Sequence, residues 1–210
     1  MVRISEIEKI RGRIRVVLDD GSEYLLLKSM LTERPLEVND ELDPEEFSSW
    51  VTLRQYRSAL EKAVSFLAVR ACSKGEIAQK LRRIGYAPET VEMVLYKLDQ
   101  EGFLNDQDFA SRWARYRSGQ KYGPYRIARE LKMKGVSSEE VETALEDLSE
   151  EDQLEDAVVI AQKALKRAKP GENPGKTRQR ITAALVRRGY DWDQARQACD
   201  RVLHAEEEWE

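Results

Sequence analysis

Ile77-Ala78-Gln79-Lys80-Leu81-Arg82-Arg83-Ile84-Gly85-Tyr86 returns as Ile127-Ala128-Arg129-Glu130-Leu131-Lys132-Met133-Lys134-Gly135-Val136 and again as Ile181-Thr182-Ala183-Ala184-Leu185-Val186-Arg187-Arg188-Gly189-Tyr190. Ile, Leu and Gly hold the same places three times, with the glycines 50 and then 54 residues apart, so the chain is an internal repeat. Each stretch has the Ile/Leu spacing of a helix and ends where a left-handed cap wants glycine. Behind each glycine runs a second amphipathic stripe: Val91, Leu95, Leu98; Val141, Leu145, Leu148; Ala195, Cys199, Val202. Ahead of each pair lies a third, over residues 54–70, 106–118 and 152–168, carrying Ala59, Ala63, Phe66 and Leu67, then Phe109, Trp113 and Tyr116, then Val158, Ala161 and Leu165.

Each unit therefore reads as three helices, and start signals agree. Ser73 with Glu76 forms a capping box, and Gly123-Pro124 gives a cap with proline in the first turn. The longer last period falls in residues 169–176, a Pro/Gly connection where insertion costs little. The expected fold is mainly α: an elongated tandem array of three three-helix repeats, 54–104, 105–151 and 152–210 with an acidic tail, behind a small N-terminal β-sheet extension, 1–53. In that extension Ile14, Val16 and Leu18 alternate, Asp20-Gly21 supplies a hairpin turn before residues 23–27, and residues 2–10 offer a third strand. Such a sheet needs a partner to pack on. Residues 28–50 read as an acidic, irregular junction, with Asp43-Pro44-Glu45-Glu46 as a helix start.

With 210 residues, 41% hydrophobic and 35% charged, the chain has the composition of an ordinary soluble protein and not of a disordered or fibrous one. Its apolar runs, such as Tyr24-Leu25-Leu26-Leu27, fall far short of the roughly 20 residues that span a bilayer. The start, Met1-Val2-Arg3-Ile4-Ser5-Glu6, lacks the apolar stretch of a secretory signal, so the expected compartment is the cytoplasm. Cys72 and Cys199 have no CxxC partner and read as reduced, partly buried small hydrophobes. The one histidine, His204, would have to carry any Ser-His-Asp triad, Cys-His pair or His-rich metal site alone. Gly171-Glu172-Asn173-Pro174-Gly175-Lys176-Thr177 ends like a phosphate loop but lacks a preceding strand and carries a proline, so it reads as a plain connection. The expectation is a protein without catalytic residues, metal or cofactor.

Charge is segregated. Residues 1–53 carry 7 basic and 12 acidic side chains, residues 54–104 carry 9 and 6, 105–151 carry 8 and 10, and 152–210 carry 11 and 11. Inside each repeat the basic residues crowd into the first and middle helices: eight in 54–83, eight in 111–135 and nine in 163–188, against one or two acids each. With Ile and Leu in the core, Lys80, Arg82, Arg83, then Arg126, Arg129, Lys132, Lys134, then Arg178, Arg180, Arg187 and Arg188 are expected largely toward solvent. Regular stacking would make them an interrupted cationic stripe suited to nucleic acid. Charged helix faces are also ordinary solvation. The net charge of −4 disfavours tight unspecific DNA binding, so a composite protein-plus-DNA surface fits better. Phe109, Trp113 and Tyr116 read as core, while Tyr122 and Tyr125 are the better candidates for exposure and base stacking. The paired acids Glu139-Glu140 and the acidic run from Glu206 read as helix-dipole partners or solvated charge.

Gly102-Phe103-Leu104-Asn105-Asp106-Gln107-Asp108-Phe109-Ala110, then Lys121-Tyr122-Gly123-Pro124-Tyr125-Arg126-Ile127 leading to Glu130-Leu131-Lys132-Met133-Lys134-Gly135-Val136, together with the threefold repeat, resemble the RecX recombination regulators over about residues 58–205. The resemblance implies a noncatalytic protein that binds RecA filaments on single-stranded DNA, limits their growth, and reduces ATP hydrolysis and strand exchange. It further implies contacts through Arg126 and Lys134, with Gly123, Pro124, Ile127, Leu131 and Gly135 as architecture. The expected binding set is Lys80, Arg82, Arg83, Tyr122, Arg126, Arg129, Lys132, Lys134, Arg178, Arg180, Arg187 and Arg188, and the expected partners are RecA filament and DNA, met by a monomer. A helical-repeat DNA binder acting without recombinase, or a protein–protein scaffold, are the rival readings. The N-terminal sheet lies outside the resemblance.

Overall fold

A computed structural model describes residues 1–10, 12–168 and 172–207. Residues 169–171 of the expected Pro/Gly connection and 208–210 of the acidic tail lie outside the described residues, as do the side chains of 205–207. The chain forms two compact units, Met1–Asn105 and Asp106–Glu210. Among the described residues it is mainly helical, with ten helices and one small sheet.

The first unit begins with β1 (Val2–Ile10), β2 (Arg13–Leu18) and β3 (Glu23–Leu27), an antiparallel meander as the alternation requires. Ile14, Val16 and Leu18 are buried, while on the other face Arg15 reaches Glu6, Glu8 and Glu23. The junction is more ordered than expected. It holds α1 (Lys28–Glu33) and β4 (Glu41–Leu42), which pairs with β1 and completes the order β3-β2-β1-β4. The reason is backbone hydrogen bonding: Asn39 N donates to Ile4 O and Ile4 N to Asp40 O, stitching an acidic loop to the sheet edge.

Asp43 then caps α2 (Pro44–Leu67), its carboxylate accepting from Glu46 N at 2.9 Å. This 24-residue helix runs straight through residue 53, the expected end of the N-terminal extension. Its first half gives Phe47 and Val51 to the core beneath the sheet, and its second half gives Ala59 and Ala63 to the core it shares with α3 (Lys74–Ile84) and α4 (Pro88–Gln100). Gln55 sits fully buried at the divide. Its amide donates to Leu25 O at 2.8 Å and accepts from Ala87 N at 2.9 Å, so it ties β3 to the start of α4. The sheet thus finds its packing partner in the first repeat.

The second unit comprises α5 (Asp106–Gly119), α6 (Pro124–Met133), α7 (Ser138–Glu146), α8 (Glu150–Leu165), α9 (Pro174–Arg188) and α10 (Trp192–Glu207). Ile127 and Leu131 centre one core, Ile181 and Leu185 the next, as Ile77 and Leu81 do in the first unit. Gly85, Gly135 and Gly189 all take positive φ (98°, 78° and 91°), the left-handed caps the sequence calls for. Ser73 accepts from Glu76 N, and Ser137 with Glu140 forms a complete capping box. The Gly-Lys-Thr stretch is not a loop: Asn173 caps α9 from Pro174 onward, and Thr177 is buried inside its first turns. Cys72 and Cys199 are free and buried.

Candidate nucleic-acid interface

The middle helices bury Ile and Leu, yet the cations between them do not share one fate. Arg82 and Arg83 on α3, and Arg129 and Lys132 on α6, are exposed and make no ion pair among the described residues. Lys80 differs from the solvent-facing expectation: it is half-buried, its ammonium 4.7 Å from the Phe66 ring centroid and 3.6 Å from Cys72 Sγ. Lys134 likewise folds back, 4.1 Å from the Trp113 centroid. Their alkyl stems cover apolar surface that the short helices leave open. Arg178 is bound to Asp200 at 2.5 Å and Arg180 to Glu172, both carboxylates lying outside the helix that carries the arginines.

The aromatics also sort differently. Phe109 is buried and Trp113 partly so, but Tyr116 is 59% exposed, because α5 turns that position away from α6 and α7. Tyr125 is exposed at 68% as expected. Tyr122 is half-buried instead, with the guanidinium groups of Arg117, Arg126 and Arg188 at 4.0, 4.3 and 4.9 Å from its ring centroid.

That stack forms where the turn from α5 to α6 meets the end of α9. Gly123 N donates to Arg188 O at 2.9 Å, Tyr125 N donates to Gly189 O at 3.0 Å, and Arg188 Nη1 donates to Gln120 O at 3.1 Å. Lys121 forms an ion pair with Asp156. A Cβ on Gly123 would lie 2.3 Å from Gly189 O, so only glycine lets the two backbones approach this closely.

Beside this joint opens a cleft of about 330 Å³, lined by Tyr122, Arg126, Lys163, Arg167, Arg187 and Arg188 over the small apolar floor of Ala164 and Ala184. Five of these residues are cationic, and no acid lines the cleft among the described residues. Lys163 and Arg167 are the residues that sequence reasoning missed; Lys163 stands in the last turn of α8 and Arg167 just past its end, and their i, i+4 spacing was the available signal. Arg117 is neutralised at the edge: its Nε and Nη2 donate to Glu130 at 2.6 and 2.5 Å, and Arg126 Nε adds a bond of 3.2 Å. Burial raises the Glu130 carboxyl, but the bonds from Arg117 and Arg126 outweigh it and hold the group below the usual carboxylate range. Hydrogen bonding to Glu130 raises Arg117 in turn. Burial pushes the neighbouring Tyr190 phenol up to about 12. Lys163, Arg167, Arg187 and Arg188 have no ion pair among the described residues. Like charges held together this way repel until an anion enters, which suits a phosphate backbone. Of the twelve residues singled out from the sequence, Tyr122, Arg126, Arg187 and Arg188 meet here; Arg82, Arg83 and Lys80 belong to the other unit.

No group of three or more His, Cys, Asp or Glu residues able to hold a metal occurs among the described residues, and no helix there is long and apolar enough to cross a membrane.

Family models match in three adjoining stretches: RecX, first three-helix domain, at residues 59–98; RecX, second three-helix domain, at 105–145; and RecX, third three-helix domain, at 150–199. A curated Regulatory protein RecX of Prosthecochloris aestuarii is 35% identical over 148 residues, covering 70% of this chain and 95% of its own length. That of Bacillus subtilis is 27% identical over 209 residues, covering 99% of this chain and 79% of its own. A crystal structure of a regulatory protein RecX superposes with a TM-score of 0.65 at 25% identity, over 95% of this chain and all of that one. The triplicated helices, their caps and these matches agree: the chain belongs to the RecX family, whose members are named as regulatory proteins and not as enzymes.

Proposed function

We propose that this chain binds RecA recombinase filaments on single-stranded DNA and restrains their growth, ATP hydrolysis and strand exchange. It would act as a monomer in the cytoplasm, within homologous recombination and DNA repair. The observation that supports this best is the cleft between the second and third repeats, where five cations stand without an acid among the lining residues. A guanidinium cluster of that kind gains by neutralising phosphates and releasing their counterions. Further exposed cations on the other repeats, Arg82, Arg83, Arg129 and Lys132, supply additional weak contacts, so affinity comes from many sites at once. The modules 54–104, 105–151 and 152–210 are the natural units of such multivalent binding. Because the overall charge is −4, bare DNA alone is a poor partner and a nucleoprotein surface a better one.

Co-sedimentation with single-stranded DNA, with RecA alone and with the assembled filament tests the proposal, alongside strand exchange and DNA-dependent ATP hydrolysis. Filament binding with inhibition of both reactions is the expected result, and Arg187→Glu weakens it and flattens its salt dependence. Equal binding to bare DNA with recombinase activity untouched at saturation would establish the DNA-binding alternative instead.

A further inference from the structure

On the other side of the same joint lies a second depression of opposite character. It is an open pocket of about 500 Å³ bounded by Tyr125, Val186, Trp192, Asp191 and Asp193, with the Gly189 backbone in its floor. Trp192 is 71% exposed and Tyr125 68%, an unusual expense of aromatic surface on one pocket. Among the described residues two carboxylates line it and no cation does. Adjacent residues divide between the two depressions: Arg126 and Arg187 face the cationic cleft, while Tyr125 and Val186 line the acidic pocket.

The pocket is also held in place. Tyr125 N donates to Gly189 O, fixing one aromatic to the backbone that leads to the other. Gln194 N donates to Asp191 Oδ1 at 2.6 Å, and Gln194 Oε1 accepts from Asp191 N, which fastens the first turn of α10 beneath Trp192. Asp191 Oδ2 and the whole Asp193 carboxylate take no hydrogen bond or ion pair among the described residues. An apolar side chain entering here would strip water from those carboxylates and return nothing. A guanidinium or ammonium satisfies both features, lying against the electron-rich ring faces and pairing with the acids.

We infer that the Tyr125/Trp192 pocket is a receptor for an arginine or lysine side chain presented by a recombinase subunit, so that one joint grips protein on its acidic side and nucleic acid on its basic side. The inference rests on the filament-binding reading above and specifies its protein half.

The test compares the full-length protein with Trp192→Ala, Asp193→Lys and, as the cleft control, Arg187→Glu, each checked for an unchanged helical spectrum and melting transition. Affinity is measured for bare single-stranded DNA and for preassembled RecA filament, and mass by sedimentation. The expected result is that Trp192→Ala and Asp193→Lys weaken filament binding by tenfold or more and leave DNA binding alone, whereas Arg187→Glu weakens both. Wild-type binding to filament with both pocket variants unaffected overturns the pocket while the functional reading stands. Failure of the wild-type protein to bind filament overturns both. Equal losses on bare DNA would make the pocket part of the nucleic-acid surface, and a wild-type dimer dissolved by Trp192→Ala would make a second copy the occupant; either result overturns the inference.

Discussion

Two glycines close equivalent helices in the two units, and each receives the module that precedes it. At Gly85 the visitor is a side chain: an added Cβ would lie 2.8 Å from Leu25 Cδ1 of the sheet. At Gly189 it is main chain: an added Cβ would lie 2.5 Å from Arg126 N and 2.4 Å from its Cβ. The cap demands a left-handed residue in both places, and the bare face of that residue then serves as the docking point for the neighbour. What surrounds the docking point differs. The first joint is pinned by a buried amide, Gln55, and carries one guanidinium, Arg13, over Tyr86; the second gathers three, Arg117, Arg126 and Arg188, on Tyr122. The second joint thus concentrates more positive charge than the first.

The contrast breaks most visibly at Gly189. Gly189→Ala adds left-handed strain to a collision with backbone that cannot yield, and the second unit should lose about 3 kcal/mol in urea unfolding. A loss below that of the Gly85 counterpart would mean the second joint is looser than the distances indicate. Next comes Gln55→Ala, which strands Leu25 O and Ala87 N without their amide partner and should cost the first unit about 2 kcal/mol, read at Trp50 fluorescence. Gly85→Ala should cost about 1 kcal/mol, because strain remains but the Leu25 side chain can rotate aside. The smallest effect is one of pH. The Glu130 carboxyl sits below its unfolded value of about 4.3, so its contribution is complete above that pH and fades as acid reaches the depressed folded value. Urea midpoints measured down through about pH 3 should therefore fall less steeply in Glu130→Gln than in the parent.

Much of this architecture is legible from short-range rules. Ile77 with Leu81 and their two echoes mark the cores, Asp43, Ser73 and the three glycines mark helix ends, and the alternation at Ile14, Val16 and Leu18 marks the sheet, since each depends on neighbours within a turn or a strand. The short α1 has Leu27 in front of it and no side-chain cap, so nothing local announces it. β4 is two residues long and exists because β1 offers an edge. The cations were the harder problem. The eleven candidate cations look alike in sequence, but what several of them meet lies outside their own helix: Asp200 for Arg178, Glu172 for Arg180, Trp113 for Lys134, Phe66 for Lys80. Lys163 and Arg167 enter the cleft only because Gly123 brings the α5–α6 turn against α9.

The sharing of α2 between two cores has a dynamic consequence. A helix that gives Phe47 to one side and Ala63 to the other cannot let either side open without fraying itself. Amide protons of the strands and of α3 should therefore exchange with deuterium as one cooperative block, so that the N-terminal meander behaves as an integral part of the first repeat.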